Sequence, residues 1–364
     1  MGHFIKSSHT VRQINTGQLD VPNELKQVLK DPECQRAFNG GSIGPDLVEN
    51  KSHYGKTADL SQRLLETARA DMKRAAGARN QEAFNEAKKD LAFAYGWLHH
   101  CAADLNTHPK VNERVGDSFR FLEKGGKLAH GAMEGQETTY LKQTIWNPED
   151  RYDVYVPAKF LAKVTGVPAG DIIEMNKTLQ RKALAELFET GKVTLSHEEL
   201  KRLWETTVRD GQHDAAEFLQ DPSKLKNWDL DCGRITTEEF DSLRKTVMSL
   251  NGGKLPDGWG KNYLRWNDAV KGLSRDQMAT KLKQLMGVTS KPKDEPKPNS
   301  STLPPPGNDR KSLEARMNDL KERHRSLKRI LDASGGHDAA TSREMTAVYQ
   351  EYLQVKKRYD AMKK

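Results

Sequence analysis

Cysteine is scarce in this sequence: Cys34, Cys101 and Cys232 are widely separated, and no CxxC pair occurs. That excludes a disulfide framework or a thiolate metal site as the organising feature. Long apolar runs are missing as well, and nothing nears the ~18 uninterrupted residues that a spanning helix needs. The first ten residues, MGHFIKSSHT, hold no apolar leader core, and Lys6 stands where a myristoylation signal requires Ser or Thr. The chain is therefore expected to be cytoplasmic, to be exported by a signal-independent route, or to be a mature form that has lost its leader. Alternating β-branched runs, the mark of half-buried strands, hardly occur.

What is present is charge and helix-forming residues. Charged side chains make up 30% of the 364 residues and mean hydropathy is -0.82, a polar, water-soluble composition. Segments such as DLSQRLLETARADMKRAA, NQEAFNEAKKDLAFAYGWL and KTLQRKALAELFE repeat apolar residues at helical spacing. The expected fold class is all-α. The net charge is +8, but residues 310–364 carry 14 Lys/Arg against 8 Asp/Glu. Most of the excess is therefore in the tail, and charge alone does not make the main domain a nucleic-acid binder.

Three parts follow from composition. Residues 1–289 read as a helical domain, with the chemistry-bearing residues within 3–140 and a helical extension over 165–289. Residues 290–309, in SKPKDEPKPNSSTLPPPGNDR, are too rich in Pro, Ser and charge to bury a core and read as a semi-extended linker. Beyond it, Leu313, Met317, Leu320, Leu327 and Leu331 fall at helical intervals, as do Met345, Val348, Tyr349, Tyr352, Tyr359 and Met362. With SGGHD as the turn they form an amphipathic αα-hairpin over 310–364, suited to docking a partner or to self-association. A basic contact with a membrane surface is the other reading.

The densest chemistry lies in AYGWLHHCAADLNTHPKVN, residues 94–112. His100, Asp104 and His108 stand at i, i+4 and i+8. Each step turns a helix by ~400°, so the three side chains drift only ~40° per step and share a face. Pro109 cannot extend the hydrogen-bond ladder, which predicts that the helix ends beside His108. The surrounding Phe93, Tyr95, Trp97, Leu98 and Leu105 are apolar, and polar groups lodged among them need partners; a divalent cation is a strong one. His99 points ~100° away around the helix and is expected to pack rather than to ligate. A second helix, KLAHGAMEGQETTYL, places His130 and Glu134 at i and i+4, again on one face. Imidazole with carboxylate is a zinc ligand mix.

A loop rich in Gly and Pro, GGSIGPDLVENKSHYGKTADL, presents Asp46 and then His53, and glycine permits close backbone approach there. Of the 11 histidines, seven lie within the first 130 residues. A further acidic stretch, NWDLDCGRITTEEF, offers Asp229, Asp231 and Glu239. Its Asp residues are one position out of register with a calcium loop, so it reads as an acidic turn with calcium binding as the alternative.

Taken in order, these residues resemble the zinc-dependent phospholipase C family, which is related to the P1-type nucleases and to the catalytic domain of glycosylphosphatidylinositol-specific phospholipase D. The resemblance spans roughly residues 3–140: His9 in SSHTVRQ, Asp46 in GSIGPD, His53 in SHYGKTADL, then His100, Asp104 and His108, and finally His130 with Glu134. It implies a helical site for two or three zinc ions. Asp46, His53, His100 and Asp104 would hold one ion, Asp104 would bridge to a second held by His9 and the N-terminal end, and His108, His130 and Glu134 would hold a third.

Asp46 would also serve as general base. Several secreted members use a mature N-terminal Trp as ligand, and no Trp precedes His9 here; the Gly2 amine, after loss of Met1, or the His3 imidazole would take that place. The implied activity is hydrolysis of the glycerol–phosphate ester of a phospholipid at a membrane surface. The alternatives are a nuclease-like or other phosphodiesterase, with Trp97, Tyr54 and Tyr95 as stacking candidates, and a non-catalytic interaction protein with structural zinc.

Overall fold

The computed structural model describes residues 2–48, 52–53, 55–116, 126–150, 152–188 and 195–287, together with scattered positions between 313 and 361. Two compact units result, Met1–Thr289 and Ser290–Lys364. Among the described residues the first unit is all-α, as its composition requires. No strand forms there, and the one β-bridge joins Asp229 to Ile235.

Among its described residues this unit has twelve α-helices. They are α1 (Gly2–Asn15), α2 (Asn23–Val28), α3 (Pro32–Gly41), α4 (Thr57–Gly77), α5 (Gln81–Val115) and α6 (Gly126–Thr144). Next come α7 (Ala158–Thr165), α8 (Ala169–Phe188), α9 (His197–Gln220), α10 (Thr237–Leu250), α11 (Trp259–Val270) and α12 (Arg275–Leu285). Short 3-10 turns occupy Pro45–Val48 and Pro222–Lys224. No described helix is long and apolar enough to cross a membrane.

Helix starts follow local chemistry. Asp31 and Asn80 each accept a backbone N–H of the first turn of α3 and α5, and Pro32 opens α3 where its missing N–H does no harm. Ser196/Glu199, Thr236/Glu239 and Ser274/Gln277 close capping boxes on α9, α10 and α12. Glu239, a candidate calcium ligand, is thereby committed to the Thr236 N–H, 3.1 Å away.

Helix α5, 35 residues and roughly 50 Å long, is the central rod. Helices α3, α4 and α9 pack along it, and Phe38, Leu64, Phe93, Trp97 and Phe160 are buried in the main core. A second cluster (Ile5, Val111, Leu141, Trp204) joins α1, α5, α6 and α9, and a third (Phe240, Trp259, Tyr263, Trp266) belongs to α10–α12. Contrary to the expected stop, α5 continues through Pro109 to Val115 and ends at Gly116, in the left-handed region with φ 97°. Proline removes one hydrogen bond, but tertiary contacts past it hold the helix: the Asn112 amide donates to Asp231 O at 2.8 Å, and Gly260 N–H to Gly116 O at 2.9 Å.

The α3–α5 crossing explains the glycines before the Asp46 loop. A Cβ on Gly41 would stand 2.0 Å from the Phe93 carbonyl oxygen, and one on Gly96 would stand 2.0 Å from that of Phe38. Both glycines serve close approach. Gly96→Ala is expected to cost about 3 kcal/mol, the upper end for overpacking, because backbone atoms on both sides cannot yield. The urea midpoint of unfolding measures it, and an unchanged midpoint would contradict the tight crossing.

In the second unit, Leu313, Leu320, Val348 and Val355 are buried against Met317, Tyr352 and Tyr359. Helical residues from both amphipathic segments thus pack together. The linker 290–309, the SGGHD turn, Leu327, Leu331, Met345 and Met362 lie outside the described residues.

A candidate metal centre

Three groups of ligand atoms converge on one side of α5: His3, Asp46 and His100; His53, His100 and Asp104; and His108, His130 and Glu134. Asp104 sits at their middle. Its Oδ2 is 2.7 Å from His100 Nε2 and 3.5 Å from His53 Nε2, while Oδ1 is 3.2 Å from His3 Nε2 and 4.0 Å from His108 Nε2. Asp46 Oδ1 is 3.5 Å from His53 Nε2 and 3.9 Å from His100 Nε2. Glu134 Oε1 lies 3.3 Å from His130 Nε2 and 3.6 Å from His108 Nε2.

Outer hydrogen bonds aim the imidazoles. His100 Nδ1 lies 2.8 Å from Ser42 O and His108 Nδ1 lies 2.9 Å from Leu230 O. A carbonyl only accepts, so Nδ1 of both rings carries a proton and Nε2 is the nitrogen turned inward. His53 Nδ1 is 2.9 Å from the Ser52 hydroxyl, which itself donates to Pro45 O at 2.7 Å, so His53 takes the same tautomer. The α3–α5 crossing matters here because it delivers Ser42 O to His100.

Electrostatics agrees with the convergence. Burial favours the neutral form of Asp104, but His100, His108 and His3 outweigh it and hold its carboxyl well below the usual range. Asp46 is likewise pulled down to about 2, against burial, by His100 and His53. Glu134 is lowered against burial by His108 and His130. Burial works against protonation of His53 and His108, yet Asp104 and Asp46 around the first, and Asp104, Asp231 and Glu134 around the second, raise both well above the ordinary value.

These residues fit zinc by their own geometry. His100 Nε2 and Asp104 Oδ1 are buried and make no hydrogen bond, although opposite charges stand within reach. Lone pairs gathered side by side without hydrogen-bond geometry are what a cation needs. Residues 3–168 match the family model described as zinc dependent phospholipase C. This segment is a zinc-dependent phospholipase C family domain. No curated protein and no solved structure matches the sequence.

Within the family domain, the structure brings together Asp46, His53, His100, Asp104, His108, His130 and Glu134. It keeps His9 apart. Six residues turn a helix by ~600°, so His9 points ~120° away from His3 on α1, and its charged neighbours are Arg12 and Asp150. His3 occupies the place expected for the early histidine, stacked on His100 with ring centroids 4.0 Å apart. His99 packs outside the centre: its Nε2 meets the Thr10 hydroxyl at 3.0 Å, its edge meets Phe38, and burial pushes its pKa down to about 3. Beneath the centre, Lys6 Nζ pairs with Glu137 Oε1 at 2.7 Å and Thr107 Oγ1 at 3.1 Å, tying α1 to α5 and α6.

The centre opens into a cavity of about 670 Å³. Ile43 and Tyr152 line it from the family domain, and Met175, Leu179, Lys182 and Ala183 line it from α8. Asp231, on the loop before α10, also reaches the cavity, so residues beyond 168 help to form the site. The sequence marked Asp231 only as part of an acidic turn; its proximity to His108 depends on the chain's return to α5. Of the stacking candidates, Trp97 and Tyr95 are fully buried in the core, and Tyr54 lies outside the described residues.

Proposed function

We propose that this protein hydrolyses the glycerol–phosphate ester of phospholipids, giving diacylglycerol and a phosphorylated head group, with two or three zinc ions. The observation that carries this reading is the cavity, whose lining combines the clustered imidazoles and carboxylates with the apolar side chains of Ile43, Met175, Leu179 and Ala183. A phosphodiester joined to a greasy glycerol suits both surfaces. A nucleobase would call for aromatic platforms, and among the described residues Tyr152 is the one aromatic side chain lining the cavity.

Zinc held here would supply Lewis acidity and an acidified water. His53, His100, Asp104 and Asp46 would hold one ion, with Asp104 reaching toward His3. His108, His130 and Glu134 would hold another. His100 has one inward nitrogen, since Nδ1 is committed to Ser42 O, so the first two groups compete for it. The His108, His130 and Glu134 group offers three protein atoms, which leaves a coordination position for water or substrate, as a catalytic zinc requires.

Asp46, with its side chain 36% exposed and ionised at neutral pH, can accept a proton from the attacking water. Lys182 and Glu186 both line the cavity, their charged ends 4.0 Å apart, and Lys182 can turn its ammonium to the phosphate while the apolar α8 side chains exclude water from the ester.

Phosphatidylcholine vesicles and single-stranded DNA assayed side by side, with and without chelator, test this reading. The expected result is release of diacylglycerol and a phosphorylated head group, abolished by chelator. Cleavage of DNA alone would favour the nuclease branch. Turnover that is absent on both substrates, or insensitive to chelator, would remove the enzymatic reading.

A further inference from the structure

One short loop from beyond the family-matched residues is clamped onto the metal centre. The Leu230 N–H donates to His53 O at 2.8 Å, and Leu230 O accepts from His108 Nδ1. The Asn112 amide binds Asp231 O, and the Tyr263 hydroxyl binds Cys232 O, each at 2.8 Å. Gly233, at φ +72°, lies so close to the Pro109 ring that a Cβ would stand 2.2 Å from Pro109 Cγ. The loop is therefore held to α5 at His108, Pro109 and Asn112, and to the backbone of His53, another of the inward imidazoles.

Within this loop the Asp231 carboxylate has no structural task. The turn is made by Asp229, whose Oδ1 accepts from the Asp231 and Cys232 N–H groups and whose Oδ2 accepts from the Thr237 hydroxyl. Asp231 is buried and lines the cavity. Its Oδ1 is 3.4 Å from His108 Nδ1, and its Oδ2 makes no hydrogen bond. Burying a carboxylate is costly, and the turn draws nothing from it.

We propose that Asp231 is a positioning residue of the metal centre, holding His108 from behind so that Nε2 is aimed at the ion shared with His130 and Glu134. The Nδ1–H of His108 then faces the Leu230 carbonyl and the Asp231 carboxylate together. This fixes the plane of the ring and raises the basicity of Nε2 as a ligand. The inference rests on the zinc reading above and extends the centre past residue 168.

Zinc retention in the full-length protein, followed by competition with a chelator of known affinity, tests the role. Asp231→Asn is expected to bind one ion about 10- to 100-fold more weakly and to leave the rest unchanged. The stripped variant is expected still to melt in one cooperative step. In a His108→Gln background, Asp231→Asn should add no further loss.

Unchanged affinity, an undiminished loss in the His108→Gln background, or a stripped variant that no longer melts cooperatively would overturn the role while leaving the zinc reading in place. A parent protein that binds no zinc would overturn both.

Discussion

Asp104→Asn is expected to lower phospholipid hydrolysis on the order of 1000-fold and to remove at least one zinc ion from the purified protein. The substitution preserves shape and deletes the charge. In the native site this carboxylate stands among His3, His53, His100 and His108, with Oδ2 only 2.7 Å from His100 Nε2. It is ionised well below the ordinary range because those imidazoles surround it against the cost of burial. An amide would turn an N–H toward atoms whose lone pairs already converge, so neighbouring groups would lose their common anion. Metal analysis after dialysis and an assay on vesicles read the two effects separately. Full zinc content in the variant would contradict a bridging role for Asp104.

The second large effect concerns pH. In the ion-free protein, burial opposes protonation of His53 and His108, but their carboxylate neighbours raise both well above the ordinary value. Stability from these two groups is complete below about pH 6.5, the unfolded value, and is lost as pH climbs through the raised folded values. Asp46, brought down to about 2, and Asp104, brought well below its usual range, act in the opposite sense. Their contribution is present above about pH 4 and is lost as pH falls toward their folded values.

From pH 6 to pH 8 the stripped protein should therefore weaken. Zinc needs bare imidazoles, so its binding expels these protons and strengthens over the same range. Free zinc at 100 times Kd contributes about 2.7 kcal/mol per site. For two sites the melting temperature should rise on the order of 10 °C at pH 8 and several-fold less at pH 6. Calorimetry with and without chelator measures the difference. A zinc-induced shift that shrinks as pH rises would mean that these imidazoles do not receive the ion.

The contrast between His9 and His3 shows where linear reading reaches its limit. Both sit on α1, both are histidines, and order along the chain favours His9 by family likeness. Which one reaches Asp104 depends on the rotation of α1 about its axis, and that is set by burial of Phe4, Ile5 and Val11 against other helices. Pro109 makes the same point. Local chemistry predicts a helix end, and the packing of Pro109 against Gly233 and of Asn112 against Asp231 carries the helix through.

Helical class, the shared face of His100, Asp104 and His108, and the pairing of His130 with Glu134 were all determined by sequence alone, because a 3.6-residue period converts spacing directly into direction. Tertiary structure decided the rest: the recruitment of His3, the exclusion of His9, the arrival of Asp231 from some 120 residues beyond His108, and the apolar wall contributed by α8. The physical reason is that a helix dictates only the angles between its own side chains. Which of those angles faces a neighbour is settled when distant segments bury their apolar surfaces together.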